Sequence, residues 1–224
     1  MNNHGSFRKM IKETIHESQK CQRNWDLSKQ ISEEDKNLII ESATNCPSKQ
    51  NLNYYKLHII EDRTTIEKIH EKTKGFGPIY GNFDANKTPA KLAKTGQAHY
   101  EEGDGEGDWY TNPQVLGQLL LAFTKNEPTQ IREENDDYEE DRAMAVGIAA
   151  GYVNVVATQL GYATGCCKCM DGEEVEKILG ETPILLMGVG IPDKNRNRRE
   201  HHTEDFVFPT LKSLKNIETV AHPA

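Results

Sequence analysis

The segment from Asp141 to Asp171, DRAMAVGIAAGYVNVVATQLGYATGCCKCMD, limits the possible folds more than any other stretch. Between Ala143 and Ala157 only Asn154 is strongly polar, so a helix there is apolar on every face and belongs in a core. A membrane span needs about 20 uninterrupted apolar residues. Here charges lie just upstream, and Asn154, Thr158 and Gln159 interrupt the run. A long buried core helix is expected, with no membrane contact. Ala143, Gly147 and Gly151 form a stripe without bulk on one side of it, open to the close approach of another backbone. A second subunit and a crowded monomer core both suit that spacing. Gly161 is placed to end the helix in a left-handed cap, and Ala163, Thr164 and Gly165 then read as a small-residue turn.

A chain of 224 residues is long enough for one sizeable core and short for two, so a single domain over 1–224 is expected. Lys and Arg number 27 against 35 Asp and Glu, and the net charge of -8 disfavours a general nucleic-acid binder. The cysteines are odd in number, and Cys166, Cys167 and Cys169 crowd together. With no apolar signal region at the start, this fits a reducing, cytoplasmic setting.

Upstream of the core helix, Phe7, Met10, Ile11 and Ile15 recur at helical spacing and predict an amphipathic first helix over 6–20. Gln19 to Trp25 then sets Lys20 and Arg23 close together before an aromatic side chain; alone this also suits a solvated basic patch. Ser32 and Asp35 resemble a capping box for a second helix with Leu38, Ile39, Ile40 and Ala43 inward, stopped by Pro47. The loop Asn45 to Asn51 is rich in hydrogen-bonding groups and leads into a strand over 55–61, a common place for binding groups. A short helix follows over 64–72. Between 73 and 112 the pattern dissolves into glycines, prolines and the acidic run 101–108, which predicts a mobile excursion over a site, with some helix around 90–100. Asp104, Glu106 and Asp108 alternate as calcium ligands do, without the closing Glu, and Phe76 between Gly75 and Gly77 lacks the lysine of a phosphate loop. Val115 to Thr124 reads as a buried strand, 132–142 as an exposed charged segment, 173–179 as a helix and Pro183 to Gly190 as a second buried strand. Arg196, Arg198, Arg199, His201 and His202 come after it. Interleaved strands and helices make the class mixed α and β around a central sheet.

Four blocks, taken in order, resemble the FMN-dependent nitroreductase family over nearly the whole chain. The family's opening basic run is matched by Gln19, Lys20, Cys21, Gln22, Arg23, Asn24 and Trp25. Its Pro-Ser-Ser-x-Asn is matched by Pro47, Ser48, Lys49, Gln50 and Asn51. The inner helix with a following Leu-Gly and a Gly-Gly-Phe-Asp turn is matched by Leu160, Gly161 and then Lys168, Cys169, Met170, Asp171. A strand ending in Gly and a downstream Lys-x-Arg correspond to Gly188, Gly190, Arg196 and Arg198. The departures are Gln19 for the first Arg, Cys21 for Ser, Lys168-Cys169 for the small pair, and Tyr54-Tyr55 for the family's Pro-Trp.

The resemblance implies an α+β fold with a mostly antiparallel central sheet flanked by helices. It also implies bound FMN, hydride from NAD(P)H, a nitroaromatic, quinone or similar small oxidant, and a homodimer with flavin at the interface. Arg196 and Arg198, with Lys20 and Gln19 nearby, are assigned to the phosphate. Cys21 belongs to the same run. Arg23 falls to the ribityl chain or pyrimidine edge, Pro47, Ser48, Lys49 and Asn51 to the ring, and the turn at Cys167, Lys168 and Cys169 to flavin N5. No residue is assigned as catalytic, because the flavin carries the redox chemistry and the protein orients and tunes it. Two other readings stand beside this one: a flavin-binding protein without reductase turnover, and a metal or thiol-redox protein built on the cysteine cluster. In the latter only Cys166 and Cys169 have the usual two-residue gap of a zinc site.

Overall fold

The computed structural model describes residues 4–74, 111–128, 138–200, 202 and 217–221. Phe76, the acidic run 101–108, the excursion at 73–112 apart from its ends, and most of 132–142 lie outside the described residues. Among the described residues the helices are α1 (His4–Ser18), α2 (Glu33–Thr44), α3 (Arg63–His70), α4 (Tyr138–Gln159) and α5 (Gly172–Leu179). The strands are β1 (Tyr55–Ile60), β2 (Leu119–Lys125), β3 (Ala163–Cys167) and β4 (Pro183–Gly190). They form one sheet in the order β1-β2-β4-β3, antiparallel at every pairing.

Side chains of β2 alternate between two cores, because successive residues of a strand point to opposite faces. Leu119, Leu121 and Phe123 meet Ile39 and Ala43 of α2 and Val146, Ala149, Val153 and Ala157 of α4 on one face. Leu120 and Ala122 meet Ile66 and Ile69 of α3, Val175 of α5 and Trp25 on the other. Each of the buried Leu, Ile, Val and Phe side chains contributes about 1.5–3 kcal/mol. The continuous apolar spelling of β2 and β4 follows from this two-sided burial.

Local signals hold where a side chain closes its own turn. The Ser32 hydroxyl accepts from the Asp35 N–H to start α2. Gly161 stands at φ 86 just beyond α4. Other expectations are corrected. Ala163, Thr164 and Gly165 are strand, because the backbones of β4 and of Cys21 pair with them on either side. The stretch 115–118 is not strand: Pro113–Val115 form a single 3-10 turn, capped by the Asn112 side chain accepting from the Gln114 N–H, and β2 starts only at Leu119. Leu38 is exposed, as are Phe7, Met10, Ile11 and Ile15 of α1. Arg142, expected on an exposed segment, is 2% exposed; its Nε donates to the Tyr54 carbonyl at 3.1 Å and Nη1 pairs with Glu139 at 2.5 Å.

Helix α4 is the expected core helix, but it buries only one side. Ala145, Val146, Ala149, Ala150, Val153 and Ala157 are buried. Met144, Ile148, Tyr152 and Val155 are 50, 40, 45 and 44% exposed. Ala143, Gly147 and Gly151 lie among them on the outer face, and a Cβ at either glycine would meet nothing within 4 Å. An all-apolar spelling does not say which face the chain itself covers.

At the far end of the sheet, Glu181 joins the turn before β4 to β1 and β2. Its carboxylate accepts from Lys56, from the Thr124 hydroxyl at 2.5 Å and pairs with His58 at 3.3 Å. The Lys56 ammonium first, and the Thr124 hydroxyl next, hold this carboxyl down at about 2. A depressed folded pKa stabilises the fold fully above the unfolded carboxylate value and ceases to as pH falls through the folded one. Glu181→Gln should therefore melt below the wild type near pH 7. The gap should narrow as pH is lowered from about 4.5 toward 2, which paired thermal melts across that range would measure.

Candidate functional site

After α1 the basic run crosses to the outer edge of β3 and continues alongside the chain that leaves β4. Cys21 bridges Thr164, and the Gln22 N–H donates to the Thr164 carbonyl at 2.8 Å. Trp25 bridges Pro192 and donates its Nε1–H to the Pro113 carbonyl at 2.8 Å. Asn24 Nδ2 donates to the Asn197 carbonyl at 2.8 Å, and Arg198 Nη1 to the Cys21 carbonyl at 3.1 Å. Two segments far apart in sequence thereby become one construction.

This construction gathers positive charge. Burial pulls the Arg23 guanidinium down to about 10; Arg198 and Arg199 add to the depression, while Cys21 and Cys167 oppose it. Arg199 is lowered by burial and then by Arg198, and its Nη1 is buried without a hydrogen-bond partner among the described residues. A buried guanidinium nitrogen such as Arg199 Nη1, lying beside a second guanidinium, favours an anion there. Guanidinium forks from separate segments suit a phosphate in particular. The donor set therefore fits the phosphate tail of a flavin mononucleotide.

The other cations of these blocks turn elsewhere. Arg196 faces Glu200 at 3.3 Å and donates through Nη1 to the His202 carbonyl at 2.7 Å. Lys20 is exposed and pairs with Glu17 at 2.5 Å, while Gln19 donates to the His16 carbonyl. The family resemblance pairs Arg196 with Arg198 and leaves out Arg199, although Arg198 and Arg199 are adjacent in the sequence.

At the end of β3, Cys167 is buried, whereas Lys168 and Cys169 are exposed. Burial pushes the Cys167 thiol up to about 12, with neighbouring Cys169 next among the causes. Burial likewise raises Cys166 to about 12, followed by Cys21. Such thiols stay protonated at neutral pH, so they are poor nucleophiles. Among the described residues no three His, Cys, Asp or Glu side chains gather around a metal position.

The Pro47 to Asn51 loop stands apart. Ser48 Oγ donates to the Leu52 carbonyl at 2.8 Å, and Lys49 Nζ pairs with Asp141 at 2.7 Å. Gln50 and Asn51 both take left-handed backbone, φ 54 and 59, strained for a glutamine and often found at ligand-binding positions. Pro47, Lys49 and Asn51 are exposed. This loop is tied to the first turn of α4 through Asp141, whereas Cys21 and Arg198 are tied through Thr164 to Asn154. Those anchor points are about 20 Å apart along the helix. The two groups of blocks are thus held at separate points along one helix.

A nitroreductase-family profile matches residues 17–191. No curated protein matches the sequence. Among solved structures, a nitroreductase family protein from Clostridium novyi NT is 17% identical, with a TM-score of 0.57 over 88% of this chain and 94% of that one. A Bacteroides fragilis nitroreductase with bound FMN is 18% identical, at TM-score 0.57 over 94 and 98%. An oxidised iodotyrosine deiodinase bound to FMN and 3-iodo-L-tyrosine is 17% identical, at TM-score 0.57 over 96 and 99%. At these identities the structures speak for the fold, and the profile, spanning most of the sequence from the basic run to the end of β4, supplies the rest: the chain belongs to the nitroreductase family.

Proposed function

We propose that two copies of this chain bind FMN between them and pass hydride from NAD(P)H to a small oxidant such as a nitroaromatic or quinone. The observation that carries this reading is the meeting of Arg23, Arg198 and Arg199 beside the Cys167 to Cys169 turn. Bound FMN would supply the carrier that takes up hydride and gives it back. The guanidiniums of Arg198 and Arg199 hold its phosphate. Arg23 places positive charge near the ring, favouring an electron-rich reduced form. The turn at Lys168 and Cys169 directs a main-chain N–H toward N5.

The loop of Pro47, Ser48, Lys49 and Asn51 reaches the ring from the second copy, because about 20 Å of helix separates it from the cations of its own chain. The exposed apolar face of α4, with its glycines, and that of α1 give the second copy its seat. A contiguous apolar face of this kind marks an association surface.

The test is optical. Protein loaded with FMN should bleach under NADH or NADPH without air and recover its colour on addition of a nitroaromatic or quinone. Bound flavin that neither nucleotide bleaches would identify a flavin binder without turnover, and a colourless protein carrying zinc would restore the metal reading. Arg23→Ala with Arg198→Ala should weaken FMN retention by about 100-fold or more, since each charged hydrogen bond contributes about 1.5–3 kcal/mol. Equilibrium dialysis measures it, and undiminished retention rejects the cation assignment.

A further inference from the structure

The turn given the flavin's reactive edge has little regular structure of its own. Lys168 and Cys169 lie outside every strand and helix among the described residues. A main-chain N–H held at one position there needs support from neighbouring groups. That support comes from the chain just beyond α3. The Lys74 N–H donates to the Cys169 carbonyl at 2.8 Å, the Asp171 N–H donates to the Lys72 carbonyl at 2.8 Å, and Thr73 bridges Met170 between them.

Thr73 in turn is fixed by its hydroxyl, which donates to the His70 carbonyl at 2.7 Å and accepts the Asn112 N–H at 2.7 Å. The Asn112 carboxamide then reaches the other end of the turn. Its Nδ2 lies 3.3 Å from Cys167 Sγ and 2.8 Å from Gln114 Oε1. Both residues are buried, Thr73 at 4% and Asn112 at 7% exposure. One hydroxyl thus steadies the turn beyond Lys168 and one carboxamide steadies it before Lys168. Buried polar groups satisfied in this way define a single arrangement, which an apolar contact would leave freer.

We propose that Thr73 and Asn112 are positioning residues that fix the main chain of Lys168 and Cys169 against the flavin and so set how readily the flavin is reduced. The inference rests on the flavin reading above, and it assigns no contact between Thr73 or Asn112 and the cofactor. Neither residue belongs to the four blocks of the family resemblance.

The experiment compares Thr73→Val, which keeps the volume and removes the hydroxyl, with Thr73→Ser, which keeps the hydroxyl. In flavin-free protein, amide hydrogen exchange at Lys74 and Asp171 should accelerate by about tenfold or more in Thr73→Val, while Leu121 and Leu186 in the sheet stay within about threefold of wild type. In FMN-loaded protein, Thr73→Val should keep FMN affinity within about threefold, shift the visible flavin band, and lower kcat by about tenfold with KM little changed. Thr73→Ser should restore all of these. Wild-type exchange at Lys74 and Asp171 in Thr73→Val overturns the proposal, as does faster exchange with an unaltered flavin band and kcat. If Thr73→Val does not fold, Asn112→Ala takes its place: it keeps the main-chain bond to Thr73 and removes the carboxamide beside Cys167, so exchange at Met170, whose N–H donates to the Lys168 carbonyl at 3.1 Å, should accelerate by about tenfold with the same change in flavin band and kcat, and wild-type exchange there, or an unaltered band and kcat, overturns the proposal. A wild type that takes up no FMN overturns the flavin reading, and this inference with it, through a measurement that involves no variant.

Discussion

Gly188→Ala should destabilise the protein by about 3 kcal/mol or more, lowering its melting temperature by about 6–12 °C. A Cβ at position 188 would stand 2.1 Å from the Gln114 carbonyl oxygen and 3.1 Å from its carbon. Those atoms are main chain, so no rotamer change relieves the clash. The partner of Gly188 across the ladder is Gly165, where a Cβ would meet the Gln114 and Gln22 carbonyl oxygens at 2.8 Å. Two facing glycines thus open a slot on the sheet into which the Gln114 backbone drops. The same short segment receives Trp25 at the Pro113 carbonyl and sends Asn112 to Cys167. The variant should therefore lose flavin as well as stability, even at temperatures where it remains folded. Gly5→Ala supplies the contrast: it stands in the exposed first turn of α1 with nothing within 4 Å of its Cβ, so the substitution should leave the melting temperature unchanged or slightly raised. Calorimetry with FMN titration on both variants checks the pair. A Gly188→Ala protein that melts within about 2 °C of wild type would remove the slot from the account.

Ile148→Glu should have the second large effect, acting on assembly. Ile148 lies in the middle of the uncovered face of α4, between Met144 and Tyr152 and beside Gly147 and Gly151. A carboxylate pressed between two such faces without a partner costs several kcal/mol, enough to shift association by about 100-fold or more. The variant should sediment at half the wild-type mass with its circular dichroism unchanged. It should also release FMN, because the Pro47 to Asn51 loop would then be missing from the other side of the ring. A wild type that is monomeric while holding flavin, or an Ile148→Glu protein that stays dimeric and yellow, would dispose of the two-copy site.

The regular elements were largely readable in the amino-acid order because their information is local. Pro183 to Gly190 reads as a strand from its unbroken apolar run, and Ser32 announces the start of α2 by its own hydroxyl. Segments whose shape is imposed from outside were not readable. Ala163 to Cys167 has the small residues of a turn, and it is extended because Cys21 and β4 pair with its two edges. Gly165 and Gly188 are there for the Gln114 backbone, a contact that no periodicity encodes. Arg142 looked solvated because arginines usually are; its burial depends on the Tyr54 carbonyl, whose approach is a tertiary matter.

The site shows the same division. The order of the four blocks was legible, and it led to the right family. Which arginines would meet was not, because Arg196, Arg198 and Arg199 lie within one turn of chain and only three-dimensional packing turns Arg196 toward Glu200 and Arg198 toward Cys21. The distance between the Lys49 loop and the cations was equally hidden. It emerges only once Asp141 and Asn154 are known to hold them at separate points along one helix.

The bond between the Asn112 N–H and the Thr73 hydroxyl has an architectural consequence. It places the exit and the re-entry of the polypeptide side by side on the sheet's rim, so the framework is indifferent to how much sequence intervenes. Joining two such fixed points costs only about 0.6 kcal/mol more each time the length of chain between them doubles. A longer or shorter connection between Thr73 and Asn112 is therefore compatible with the same framework.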